Sequence, residues 1–120
     1  FGTRPDPATA HVVRTTRSPA AALAALGARL RVEVHGACIG AGVELAAWGR
    51  EVIATPDAFF ALPEVAMGLI PGAGGTASLP RRIGRQRTAL LALTGRRIDA
   101  AAARAWGLVD AIAPADDPWR

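Results

Sequence analysis

The chain has 120 residues, about half of them apolar, and a formal net charge of +4. That length bounds it to one domain or part of one, with enough apolar content for a sizeable core. Every basic side chain is arginine and there is no lysine, which excludes P-loop phosphate binding, lysine Schiff bases and a lysine general base.

Phe1 stands where a methionine would start a chain, as expected of a piece of a longer product. Residues 1–19 are turn-rich, with Pro5, Pro7 and Pro19, and leave room for a short helix over Ala8 to Thr15. Ser18-Pro19 reads as an N-cap followed by a first-turn proline, opening a helix to about Gly27 whose alanine and leucine content predicts a buried or packed element. Leu30 to His35 alternates, Val32 and Val34 against Arg31, Glu33 and His35, as a strand with one wet face does. Gly36 ends it. Gly40 and Gly42 permit close backbone approach around a helix of about Ala41 to Trp48, closed by Gly49. Strands are expected over Val52 to Ala54 and Ala58 to Leu62, with a turn at Pro56-Asp57 between them and Pro63 as the stop. A bend from Glu64 to Gly68 leads to the loop PGAGG, Pro71 to Gly75, where several positions demand glycine. Thr76 to Ile83 and Gln86 to Thr94 read as helices broken at Gly84. Asp99 caps a helix from Ala100 to Trp106, and Leu108 to Ile112 reads as a last strand. Alternating strands and helices predict an α/β layered domain. Its parts are a turn and helix over 1–29, a core over 30–112 and a loose tail over 113–120.

No apolar run reaches membrane-spanning length and no signal pattern is present, so no membrane partner is expected. Cys38 is alone, which excludes an internal disulfide and a CxxC pair and fits a cytoplasmic setting. The basic balance suits an anionic ligand, but the few aromatic residues do not interleave with the arginines, so nucleic acid is not expected. Gly40-Ala41-Gly42 lacks the third glycine of a dinucleotide fingerprint, and Asp57 lies in a turn instead of at a strand end. His35 reads as a strand-end surface residue. Arg81, Arg82, Arg85 and Arg87 read as a solvated face, with subunit contact or phosphate attraction as the alternatives.

Two glutamates stand apart from this pattern. The helix starting near Ala41 has N–H groups without intrahelical partners, and the glycines beside Ala41 let a ligand oxygen approach its N–H. Such a donor stabilises a developing oxyanion more than a ground-state carbonyl. Glu44, one turn on, can face the same cavity, although on spacing alone an ordinary first-turn carboxylate is the simpler reading. Glu64 follows Leu62-Pro63 and precedes Val65, Met67, Leu69 and Ile70. A carboxyl in such surroundings is paired, hydrogen-bonded or protonated. Two carboxyls around one water would form an acid–base pair, while a structural glutamate capping the PGAGG turn is the alternative for Glu64.

Three segments, HGACIGAGVELA, FFALPEVAMGLIPGAGGTASLPRRIG and LTGRRIDAAAARAWGLVD, run in one order from Gly36 to about Ile112. In that order and spacing they resemble the crotonase family, the enoyl-CoA hydratase/isomerase superfamily. The resemblance implies a partial crotonase-type ββα spiral and an acyl-CoA thioester as substrate, with no metal or redox cofactor. It implies that Ala41, flanked by Gly40, supplies one of two oxyanion N–H donors, alanine serving as well as the more usual glycine because the donor is main-chain. It matches Glu44 to the carboxylate that activates water for attack at the β-carbon, and Glu64 to the one that delivers a proton to the α-carbon. Gly72 matches the loop position beside that water. A homo-oligomer, trimer or paired trimer, is implied through the helices after Gly75.

The sequence departs from the family pattern at three places. Arg50 stands where the family often has aspartate, a change expected to alter packing. The resemblance places the first oxyanion donor and much of the coenzyme A surface before Phe1, and the family's closing helices after Arg120. The expectation is therefore the second half of a crotonase domain from an enoyl-CoA hydratase, inactive as an isolated fragment. A double-bond isomerase, which can work with one carboxylate, and a non-catalytic fragment of the fold are the alternatives.

Overall fold

A computed structural model describes residues 6–114. Of the expected tail over 113–120, residues 115–120 lie outside the described residues, as does Pro5. Helix α1, Pro7–Thr16, starts where Asp6 accepts hydrogen bonds from the Ala8 and Thr9 N–H groups. Helix α2, Pro19–Leu26, starts where the Ser18 hydroxyl accepts from the Ala21 N–H, with Pro19 in the first turn as expected. Of the two expectations for α2, buried or packed, burial is limited to Ala20, whose methyl lies against Gly74. Alanine builds the helix by propensity, but its methyl groups do not form the wide apolar stripe that would seat it in a core.

Six short strands form two three-stranded sheets. One takes β1, Arg31–Val34, β3, Glu51–Ala54, and β6, Ala111–Ile112, in the order β1-β3-β6, all parallel. The other takes β2, Ala37–Ile39, β4, Phe59–Ala61, and β5, Ile98–Asp99, in the order β2-β4-β5. There β2 runs parallel to β4 and β5 antiparallel to it. The chain passes from the first sheet to the second at Gly36, between β1 and β2, and again at Pro56-Asp57, between β3 and β4. Each passage ends in a helix: α3, Ala41–Ala46, after the first, and α4, Gly75–Thr94, after the second. These are two turns of a ββα spiral, stacked so that Val32 lies beside Val52 and Cys38 beside Phe60. Helix α5, Ala100–Trp106, capped by the Asp99 side chain, feeds β6.

The core joins both sheets to the helices through Val43, Val52, Phe60, Leu62, Leu79, Leu91, Leu108 and Val109, each at most 1% exposed. Gly84 breaks α4 as expected, at φ 80 and ψ 161. Strand β6 is shorter than expected, because Leu108 and Val109 fill the core from the turn after α5, where their N–H groups bond back to the Ala103 carbonyl. Cys38 faces inward from β2, and burial pushes its thiol up to about 11.

The expected solvated arginine face is only partly that. Arg85 is exposed, but Arg82 donates to the Leu108 carbonyl at 3.0 Å and the Gly49 carbonyl at 2.7 Å. It also pairs with Asp110, whose Oδ2 accepts the Val52 N–H at 2.8 Å. One guanidinium thus ties α4 to the loop before β3 and to the turn before β6. Arg81 lies over the Trp48 ring and Arg87 over the Trp106 ring. Arg82→Ala is expected to destabilise by about 2–3 kcal/mol, since two carbonyls and a carboxylate lose a charged donor in a site only 12% exposed on the arginine side. Arg85→Ala is expected to stay within about 0.5 kcal/mol. Urea titration midpoints of the two variants check the contrast.

Candidate active site

Gly40 precedes α3 with φ 59 and ψ −125, a conformation that turns the chain from β2 into the helix. From that turn Glu44 points into the interior and is 1% exposed. Its Oε2 accepts the Ala73 N–H at 2.8 Å and the Gly75 N–H at 2.7 Å. The Ser78 hydroxyl donates to the Glu44 carbonyl at 2.7 Å. Loop 71–75 is therefore folded around the carboxylate, which explains two of its glycines separately. Gly74 has φ 102, and a Cβ there would stand 2.6 Å from the Ala20 methyl. A Cβ on Gly75 would stand 2.5 Å from Glu44 Cγ. Gly72 is not in the left-handed region.

Glu64 begins a 3₁₀ turn, Glu64–Met67, directly after Pro63. It is 8% exposed, and its Oε2 is buried without a hydrogen-bond partner among the described residues. A Cβ on Gly40 would lie 2.9 Å from Glu64 Oε1. The close approach expected at Gly40 is thus made to the second carboxylate. The Gly40 N–H donates to the Ala61 carbonyl at 2.9 Å, fixing the turn against β4, the strand that leads to Glu64.

Ala41, Glu44, Glu64 and Gly72 line one cavity of about 710 Å³. The first oxygen of Glu44 is held by amides, the carboxyl of Glu64 is not, and Ala41 begins a helix whose first N–H groups have no intrahelical acceptor. Proton acceptance, proton donation and hydrogen bonding to a developing oxyanion are all available within that space. A separate cavity of about 470 Å³, lined by residues such as Leu23, Val34 and Leu45, contains neither glutamate. Of the five residues singled out in the sequence, only Gly40 does not line the cavity; it abuts Glu64, which does. The sequence reading did not find the Ala73 and Gly75 amides, Ser78, or the wall formed by Val13, Arg17, Ser18 and Pro19. The adjacent glycines Gly74-Gly75 were the available signal for the amides; the α1–α2 wall carries none in sequence.

Residues 28–118 match the family model described as enoyl-CoA hydratase/isomerase. Among solved structures, enoyl-CoA hydratase/isomerase from Cupriavidus metallidurans is 30% identical with a TM-score of 0.86, over 93% of this chain and 43% of that one. Enoyl-CoA hydratase from Thermoplasma volcanium is 34% identical with a TM-score of 0.78, over 89% of this chain and 44% of that one. The chain spans less than half the length of either protein. Among the described residues no helix is long and apolar enough to cross a membrane.

Proposed function

The chain belongs to the enoyl-CoA hydratase/isomerase family, and we propose that its cavity serves addition of water across the 2,3 double bond of an acyl-CoA thioester. The observation that carries the reading is the presence of Glu44, Glu64 and Ala41 around one cavity. Glu44 takes a proton from a water as its oxygen bonds to the β-carbon, and the π electrons move onto the thioester oxygen. The Ala41 N–H receives the negative charge that develops there. Glu64 then delivers a proton to the α-carbon, and the enolate collapses to the saturated 3-hydroxyacyl thioester. Hydrogen bonds donated by the Ala73 and Gly75 N–H groups hold the Glu44 carboxylate in place, so the base does not need to be ordered during the reaction. The family resemblance implies a second oxyanion donor, which is not among these residues.

The test is hydration of crotonyl-CoA, followed by loss of the conjugated thioester's absorbance. It compares the 120-residue chain with the Thermoplasma volcanium hydratase in which this chain replaces the matching segment. Turnover is expected in the hybrid. In the 120-residue chain it is expected to be slower by roughly 10²–10³-fold, the weight of one oxyanion donor. A folded hybrid without turnover overturns the proposal.

A further inference from the structure

Arg17 closes α1, its N–H bonded to the Val13 carbonyl at 2.8 Å, and lines the cavity that holds both glutamates. It is exposed and makes no ion pair among the described residues. It is also the only cation among the described residues that line this cavity. A guanidinium serving as counter-ion to Glu44 or Glu64 would sit within ion-pair reach of one of them, and neither glutamate has such a contact. The Glu44 oxygen is held by amides instead, and Glu64 Oε2 has no partner. Ser18, whose hydroxyl caps α2, also lines the cavity, and the apolar lining residues Val13, Leu69 and Ile70 are exposed. A Glu44 carboxylate in the cavity repels an anionic ligand, and an uncommitted guanidinium on the wall offsets that repulsion for whatever anionic group reaches it.

We propose that Arg17 is the anion-binding residue of this cavity, taking an anionic oxygen of the thioester substrate. The inference rests on reading the cavity as an acyl-CoA site. Two parts of a thioester substrate carry that chemistry: a carboxylate at the far end of a dicarboxylic acyl group, and the phosphates of coenzyme A. Both would meet the guanidinium through charge-assisted hydrogen bonds.

The experiment is equilibrium binding of saturated thioesters, which have no double bond to hydrate, to the hybrid hydratase carrying this chain and to its Arg17→Gln and Arg17→Lys variants. The probes are pentanoyl-CoA, glutaryl-CoA of equal chain length, and pentanoyl-pantetheine, which has no phosphate. If the anion is the distal carboxylate, Arg17→Gln weakens glutaryl-CoA by roughly 10–100-fold and leaves pentanoyl-CoA unchanged. If it is a phosphate, the variant weakens both coenzyme A thioesters alike and leaves pentanoyl-pantetheine unchanged. In either case Arg17→Lys recovers part of the loss. Unchanged binding of both coenzyme A thioesters by Arg17→Gln overturns the inference and leaves the acyl-CoA reading standing. Equal weakening of all three probes marks a structural role and also overturns it. Failure of the folded hybrid with Arg17 in place to bind pentanoyl-CoA overturns the acyl-CoA reading and this inference together.

Discussion

Glu64→Gln is expected to lower the hydration rate by roughly 10²–10⁴-fold, the range that general acid–base groups contribute. Glutamine keeps the volume of the side chain but cannot donate and regain a proton at the α-carbon. The change is also mild for the fold, because Glu64 Oε2 has no hydrogen-bond partner among the described residues to lose. The loss should therefore fall on kcat with little change in KM. Glu44→Gln is expected to fall by a similar factor. Its side-chain carbonyl can still accept the Ala73 and Gly75 N–H groups, so loop 71–75 stays in place while the base is lost. Both variants are assayed in the hybrid hydratase, with melting midpoints as the control for folding. Turnover of a 3-enoyl-CoA that is lost in Glu64→Gln and unchanged in Glu44→Gln would replace hydration with isomerisation through a single carboxylate. Parent-like hydration in both variants would remove the two glutamates from the mechanism.

The parts of the fold legible in the sequence are those set by local chemistry. Ser18-Pro19 and Asp99 start helices because a side-chain acceptor satisfies an N–H that the helix cannot, and both do so in the structure. Gly84 breaks α4 because no following turn fits its φ of 80. Strand β2 was not legible: three residues between Gly36 and Gly40 are too few for a period, and it exists only because it pairs with Phe59–Ala61. The burial of Arg82 was equally hidden, since its partners come from Gly49, Leu108 and Asp110, each remote along the chain. Alanine in α2 left burial or packing open for a different reason: it signals helix propensity but not which side is covered, and only Ala20 is buried.

The candidate site divides along the same line. Spacing alone left Glu44 as an ordinary first-turn carboxylate, and it was the resemblance across three linked segments that paired it with Glu64. Their meeting in one cavity depends on Gly40 and Gly75, where a Cβ would strike Glu64 and Glu44 respectively. A sequence reading finds these glycines by their turn chemistry; the carboxylates they accommodate are long-range neighbours that only the fold brings together. Arg17 had no such signal, because its place follows from the end of α1 and the start of α2 bordering the same cavity as Gly72 and Ala73.

Ala41→Pro is expected to lower hydration by roughly 10²–10³-fold, the cost of one oxyanion donor, without unfolding the helix. Ala41 is the first residue of α3, the position where proline is best tolerated, since its missing N–H has no intrahelical acceptor there. This chain already begins α1 and α2 with proline, at Pro7 and Pro19. Gly40 has φ 59 and ψ −125, outside the right-handed helical region that a following proline disfavours. Ala41 is exposed to the cavity side, so the ring displaces no core atom. The substitution thus removes a single hydrogen-bond donor and leaves both carboxyls in place. Ala41→Gly keeps the N–H and is expected to turn over within about threefold of the parent, since uniform backbone effects of one glycine at a helix start are small. The pair of variants, assayed in the hybrid hydratase against crotonyl-CoA with melting midpoints in parallel, separates the donor from the side chain. Equal activity of Ala41→Pro and Ala41→Gly, with both folded, would place the oxyanion elsewhere in the cavity; a loss confined to proline ties the developing charge to the N–H of Ala41.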